Sequence, residues 1–585
     1  MKSRPDLKFE FTKRRCCRMY GPLGQALDLC IKNQLLQTDW QLLSSPFLKH
    51  SDDDGGWRGE FWGKTVRSAV LAWSSTRDPQ LFQCIRIAVD GILEAIGPDG
   101  CISSVSAGMR LRKWDLWGRK YVLLGLERYY LEIQPDDNVK IAIQRILDRI
   151  INEVHAKKNG ILATGEHEGL ASSSLIGAVA EAWRITGEKR YLEFAGEIIQ
   201  SGCSAKHDIF LAVRQGISPS EIGDAKAYEM LSCFKGVSEM LDALPDAYRS
   251  SVLCCYQAVR DHEIMITGTG GATNFGETWF NGRFRQTWND IGKLGETCVT
   301  VTWIQYCGSI LSISGDSAVA DEMERAAYNA LLGGMKPDGS NWTHRNPTPL
   351  SAPAPKNPSD DQMLRNFGTP FDGHDCCRAQ GPEGLAQMTR YAVMRHSGGL
   401  VINFYESLDA EAETPSGIRV AIRIDGEYPF EEDVRIRIMP EHAEHFILLL
   451  RIPKWWNGNS RLSLNGVPIS AQSGQYCRIE REWKAGDQIE FHFDLRPRRE
   501  RDPGKNPFYA FFCGPVLMAQ DSRLPNFGKP VPQVLPELYS EPGFRKTVRF
   551  SDGTMMCDYA DAGNLFSAEN PLQVWVTLQA QEDEK

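Results

Sequence analysis

Apolar residues recur at three- and four-residue spacings over Gly177–Arg184, Tyr191–Gln200 and Val299–Ile313, which predicts helices through the first two thirds of the chain. A weak echo runs through the same region. It appears as AWSSTRDPQLFQCIRIAVDGIL from Ala72, AWRITGEKRYLEFAGEII from Ala182 and ILSISGDSAVADEMERAAYNALL from Ile310. Each copy reads helix, short polar turn, helix, and each turn has Ser or Thr, then Arg or Gly, then Asp or Glu. Gly187 and Gly315 suit helix C-caps, and the acid that follows can cap the next helix. Recurring helical hairpins predict a stacked or toroidal α/α architecture.

The pattern changes after about Gly399. Val434-Arg435-Ile436-Arg437-Ile438 alternates strictly, as a half-buried strand does. Arg461–Leu464 runs into Asn465-Gly466, a hairpin turn signal, and Phe446–Ile452 and Ile489–Phe493 add strands. These features predict an antiparallel β-sandwich, dividing the chain into a helical domain at 1–397 and a β domain at 398–585. The segment Leu524–Phe544 is proline-rich without periodicity and reads as a long surface loop.

With 585 residues, two or more domains are expected. An apolar share of 42% and a charged share of 24% place the chain with globular proteins. A net charge of −9 gives no support for a nucleic-acid or anionic-membrane partner, and the basic run Lys13-Arg14-Arg15 reads as a solvated end. No apolar run approaches the roughly 20 residues that span a bilayer. The segment MKSRPDLKFEFTKRRCCRMY lacks the apolar core of a secretory signal, so a cytoplasmic location is expected. In a reducing compartment most of the 16 cysteines, such as Cys233 and Cys307, should then be buried free thiols. The oligomeric state is not legible.

The candidate chemistry lies in two short segments. Glu296-Thr297-Cys298 and Cys376-Cys377 together offer thiolates and a carboxylate that can close a tetrahedral zinc site. Two other Cys-Cys pairs, Cys16-Cys17 and Cys254-Cys255, show that such a pair is weak by itself. Adjacent side chains diverge on regular elements, so Cys376 and Cys377 could share an ion only on irregular backbone entering a helix. Glu296 and Cys298 could converge if Glu296 ends a turn and Cys298 opens the next helix; a capping glutamate beside a core cysteine reads slightly better from spacing alone.

The run GETCVTVTWIQYCGSILSISGDSAVADEMERAAYNALLGGMKPDGSNW, followed by the Cys-Cys segment, resembles the zinc-dependent glycoside hydrolases typified by bacterial β-L-arabinofuranosidase. Ile418–Phe430, Leu450–Trp456, Arg481–Gln488 and Gly514–Gln520 resemble that family's β-sandwich. The resemblance implies an (α/α)6 barrel followed by the sandwich. It implies a Zn2+ ion held by Glu296, Cys298, Cys376 and Cys377, with Cys376 as nucleophile. The family's acid/base glutamate follows a glycine-rich strand end, which here is Gly268-Thr269-Gly270-Gly271 leading to Glu277. A neutral Glu277 needs a raised pKa, which the apolar neighbours Phe275, Trp279 and Phe280 would supply by desolvation. The implied activity is that of a retaining exo-glycosidase on an oligosaccharide or glycoside, with a β-L-arabinofuranoside as the default and an acidic or branched sugar as the variant within the class.

The sequence departs from that family where sugar hydroxyls would be read. Cys376-Cys377 is followed by Arg378-Ala379-Gln380-Gly381-Pro382 in place of two prolines and an asparagine. A family motif resembling H-E-L-Y-C-A-G-H keeps its first histidine as His167 and has Ser174 at the second, while Tyr228 replaces a further pocket histidine. Aromatic and charged residues in WRGEFWG and WDLWGRK, among them Arg58, Glu60, Trp62, Trp117, Arg119 and Lys120, could stack on or bond a sugar, as could His344. Core packing and local ion pairs would explain the same residues. A sugar epimerase, a polysaccharide lyase and a non-catalytic sugar binder on an α/α toroid are the rivals.

Overall fold

The computed structural model describes residues 4, 7–12, 16–53, 55–271, 277–288, 294–347, 375–567 and 569–580. Lys13-Arg14-Arg15 and Phe275 lie outside the described residues.

Among the described residues, the twelve helices of nine residues or more build the first unit: α1 (Pro22–Asn33), α2 (Glu60–Thr76), α3 (Pro79–Ala95), α4 (Asp115–Glu132), α5 (Asp137–His155), α6 (Ile176–Thr186), α7 (Lys189–Gln200), α8 (Ala227–Ser238), α9 (Asp246–Ala258), α10 (Thr297–Ser314), α11 (Ser317–Arg325) and α12 (Cys376–Ala392). The even-numbered helices pack in sequence, and α12 returns to α2, closing an inner ring. Each is covered by one outer helix, with α3, α5, α7, α9 and α11 on their predecessors and α1 on α12. This is the (α/α)6 barrel that the sequence implied. Burial explains the two layers. α10 is buried along nearly its whole length, whereas α5 buries only Val139, Ala142, Ile143, Ile146, Leu147, Ile150 and Val154, one stripe at helical spacing.

The echoed turns are three of the inner-to-outer corners. Arg77, Gly187 and Gly315 each take left-handed φ values, of 55°, 75° and 65°. Asp78 and Asp316 then cap the outer helices by accepting from Gln80 N and from Ala318 N. Glu188 makes no such bond. One close approach sets the spacing of α2 and α4: a Cβ on Gly63 would lie 1.9 Å from the Tyr121 carbonyl oxygen.

Beyond the barrel, two sheets face each other over Tyr405, Phe491, Phe493 and Trp483. The Asn465-Gly466 turn, at φ values of 50° and 78°, closes the hairpin between Arg461–Leu464 and Val467–Pro468. Among the described strands of these two sheets, pairing is antiparallel with one exception: Gly399–Ile402 runs parallel to Glu444–Arg451. Parallel partners need a long crossover, and here the intervening chain builds three strands of the opposite sheet. A third sheet, beginning at Arg498–Arg501, has separate apolar cores. It includes the strand Glu537–Tyr539, inside the proline-rich stretch read as loop. The N-terminal strands Glu10–Phe11 and Cys16–Met19 pair with strands of the β unit, so the chain begins there before entering the barrel.

Buried polar groups join the two units. The Arg451 guanidinium, with no exposed side-chain surface, pairs with Glu324 at 2.8 Å and with Asp321, both on α11, and donates to the Asn403 carbonyl oxygen. Replacing Arg451 by methionine should cost about 3–5 kcal/mol, because Glu324 would lose its cation and keep only neutral support such as the Tyr428 hydroxyl, which donates to it at 2.7 Å. Chemical denaturation measures it; a loss below about 1 kcal/mol would class the pair with exposed ones.

Candidate active site

A two-stranded ribbon, Leu294–Glu296 against Arg345–Pro347, sets Glu296 beside His344 at the mouth of α10. Cys298 follows in the first turn of that helix and is fully buried. On α12, Asp375 is the N-cap and accepts from Cys377 N at 2.8 Å and Arg378 N at 3.4 Å. Cys376 and Cys377 are thus already helical, which differs from the irregular backbone expected. Their sulfurs are 3.8 Å apart all the same, since neighbours about 100° apart can both face the ring interior from a helix end.

The Cys298 and Cys377 sulfurs are 3.3 Å apart, and Cys377 Sγ is 3.9 Å from Glu296 Oε1. Glu296, His344, Cys376 and Cys377 present donor atoms that all lie within 4.8 Å of one another, so this cluster can hold a metal ion. One further feature fits that role: Glu296 Oε2 is buried and has no hydrogen-bond partner. Burial, with the charge of Glu277 beside it, pushes the Glu296 carboxyl well above the usual carboxylate range. A cation in this position would relieve that cost.

His344 links the cluster to Glu277. Its Nε2 lies 3.0 Å from Glu277 Oε1, while Nδ1 faces Asp375 Oδ2 at 3.5 Å and Cys376 Sγ at 3.8 Å. Lys226 Nζ donates to the other Glu277 oxygen at 2.7 Å. Glu277 takes a left-handed φ of 62°, held by Ala227 N donating to its carbonyl oxygen. Such strain in a residue with a side chain is found where surrounding contacts impose it, often at functional sites.

These neighbours reverse the expected protonation of Glu277. Burial does raise its pKa, as the sequence reading supposed, and Trp279 is indeed buried nearby in the chain. The His344 hydrogen bond and the Lys226 charge outweigh burial and hold the carboxyl well below its usual range. Hydrogen bonds from Cys298 and Cys377, with the His344 charge, pull the Cys376 thiol well below its ordinary value against the effect of burial. Burial also opposes charge on His344, yet Cys376, Asp375 and Glu277 keep the ring protonated.

Several expected sugar-contacting residues make a connected, largely buried set near this cluster. Trp117 Nε1 donates to Glu60, and the Trp117 ring lies 5.2 Å from Tyr228 and 5.6 Å from Trp114. The Tyr228 hydroxyl meets that of Tyr121, and Ser174 Oγ accepts from Lys120 Nζ at 3.0 Å. His167 stands 5.5 Å from Trp114, oriented by Asp224 at 3.3 Å, on a turn where His167 and Glu168 are both left-handed. Two expected residues are turned elsewhere. Trp62 Nε1 donates to the Ala88 carbonyl oxygen on the outer helix α3. Arg119 is tied to Asp115 and to Glu153 on outer helix α5. Sequence reasoning missed Lys226, Asp375 and Lys64; the last two had local signals, an acid preceding a helix start and a lysine four residues after Glu60.

Residues 23–390 match the family profile described as the β-L-arabinofuranosidase GH127 catalytic domain, and residues 399–495 match the GH127 middle domain. The chain belongs to the GH127 β-L-arabinofuranosidase family. The first match spans the barrel and the second spans the paired sheets. The curated non-reducing end β-L-arabinofuranosidase of Bifidobacterium longum is 23% identical over 346 residues. That alignment covers 54% of this chain and 51% of the relative, about half its length. A GH127 β-L-arabinofuranosidase from Geobacillus stearothermophilus T6 superposes with a TM-score of 0.77 at 18% identity, covering 96% of this chain and all of that one. A second GH127 β-arabinofuranosidase gives 0.81 at 17% identity, covering 98% of each chain. The GH127 fold thus extends over nearly the whole molecule. No helix among the described residues is long and apolar enough to cross a membrane.

Proposed function

We propose that this protein is a retaining exo-glycosidase that releases a terminal β-L-arabinofuranose, with Cys376 as nucleophile and Glu277 as acid/base. The observation that carries the reading is the chain of contacts from Cys376 through His344 to Glu277, which starts in a cluster able to hold a metal ion in a GH127 barrel.

Glu296, Cys298, Cys376 and Cys377 would hold a zinc ion. Their thiolate and carboxylate donors suit that metal. His344 is left outside the ligand set because both ring nitrogens already face acids. When bound, zinc would stabilise the thiolates against protonation in this buried site.

In the first step the Cys376 sulfur forms a bond to the anomeric carbon while the bond to the leaving oxygen breaks. Glu277 gives the leaving oxygen a proton. Glu277 is held ionised by its neighbours, so that proton has to reach it first; the protonated His344 ring, 3.0 Å away, is the adjacent source. In the second step Glu277 takes a proton from water, the water oxygen bonds the anomeric carbon, and the Cys376 thiolate departs. Two inversions leave the configuration retained. Trp117, Tyr228, His167 and Ser174 form the surface on which a furanose could stack and bond.

The test is hydrolysis of a panel of aryl furanosides and pyranosides, with the product anomer followed by NMR. Turnover of the β-L-arabinofuranoside with retention supports the assignment. Turnover of a different sugar only would overturn the substrate, and inversion would overturn the mechanism. Metal dependence is tested separately: dialysis against a strong chelator should abolish most turnover, and added zinc should restore it. Full activity in protein shown by elemental analysis to be metal-free would remove zinc from the scheme.

A further inference from the structure

We propose that Lys64 is the counter-ion of the thiolate-rich centre, a positioning residue that orients Cys298 and sets how tightly metal is retained. The inference rests on the reading that Glu296, Cys298, Cys376 and Cys377 hold zinc.

Lys64 projects from the inner helix α2, and its side chain is 1% exposed. Its Nζ lies 3.7 Å from Cys298 Sγ and 3.0 Å from Glu60 Oε2. The rings of Tyr228 and Tyr121 lie 4.6 and 5.2 Å from the same nitrogen. An ammonium has three protons to give, and each of these neighbours is an electron-rich acceptor or a π face. Glu60 anchors the lysine in place. It sits one helical turn earlier on α2, and Trp117 Nε1 donates to the same oxygen that receives Lys64.

Charge explains why a lysine belongs here. Three thiolates and one carboxylate carry four negative charges, of which a divalent cation neutralises two. The excess lies among buried side chains, where solvent does little screening. His344 and Lys226 are both bonded to Glu277, and His344 also faces the Cys376 sulfur at 3.8 Å, so their charge serves Glu277 and Cys376. Lys64 supplies positive charge directly against Cys298, whose fully buried sulfur also lies 3.3 Å from the Cys377 sulfur. Groups of this kind, which touch ligands rather than metal, tune affinity in other metal sites. If Lys64 served Glu60 alone, its loss would affect folding stability without affecting metal affinity.

Wild-type protein and the Lys64→Met, Lys64→Gln and Lys64→Arg variants, each checked for a cooperative thermal melt, are titrated with Zn2+ against a chromophoric chelator. The same proteins loaded with Co2+ report sulfur coordination through the cobalt–thiolate absorption band. The expected result is zinc binding about 10- to 100-fold weaker in Lys64→Met and Lys64→Gln, with a diminished cobalt–thiolate band. Lys64→Arg, which keeps the charge, should recover most of the loss. If Lys64→Met does not fold, Lys64→Gln gives the same reading with a polar group in the same space. Wild-type affinity and an unchanged band in a folded neutral variant would overturn the role of Lys64 while leaving the zinc reading intact. A wild-type protein that takes up no zinc would overturn both.

Discussion

Replacing Cys376 by alanine is expected to lower kcat/KM by roughly 10⁴- to 10⁶-fold, as removal of a covalent nucleophile does in other enzymes. At about 1.4 kcal/mol per factor of ten, that corresponds to roughly 5–8 kcal/mol of lost transition-state stabilisation. Cys376 is also an expected metal ligand, so loss of zinc must be separated from loss of the nucleophile. Three donors, Glu296, Cys298 and Cys377, remain in the variant, and its zinc content is measured alongside its rate. If zinc is retained, added azide should revive turnover of an activated aryl glycoside by filling the space of the missing sulfur. The product would then be the azide of inverted configuration, because only one displacement takes place. A zinc-loaded Cys376→Ala protein retaining about a tenth or more of wild-type activity would assign the nucleophile elsewhere.

The second large effect belongs to Glu277. Glu277→Gln should reduce turnover of substrates with poor leaving groups by about 10²- to 10⁴-fold, the usual range for a positioned acid or base. The deficit should shrink sharply for aryl glycosides whose leaving oxygen needs no proton. Those substrates would then accumulate the glycosyl-enzyme, since the second step still lacks its base. A uniform loss across leaving groups would point instead to a structural role, such as holding Lys226 and His344, the two groups that bond Glu277 here. A sugar-binding protein without catalysis would show no leaving-group dependence at all.

The candidate acid was legible before its protonation was. Glu277 could be placed by its distance from the glycine-rich run and the Glu-Thr-Cys segment, both close in sequence. Its ionisation depends on Lys226 and His344, which are 51 and 67 residues away along the chain. Neighbouring aromatics suggested an apolar surround, and burial does act in that direction; two cations brought in by tertiary structure outweigh it. The same distinction separates Trp117 from Trp62. Both are tryptophans in charged, aromatic motifs, but Trp117 turns toward Glu60 and Tyr228 while Trp62 turns outward to α3. Which face of an inner helix points at the axis is decided by ring closure, and both faces of such a helix are buried.

By itself the sequence determined the helices, the corner turns and the alternating strands, because spacing and capping act over a few residues. Together with the resemblance in the Glu-Thr-Cys and Cys-Cys segments, it also pointed to the candidate sulfurs and carboxylates. Tertiary structure alone decided that the N-terminal strands join the β unit, that one strand pair is parallel, and that His344 stands between Cys376 and Glu277. Those arrangements arise where distant segments compete for the same buried space and the same few charges, and no local pattern encodes the outcome.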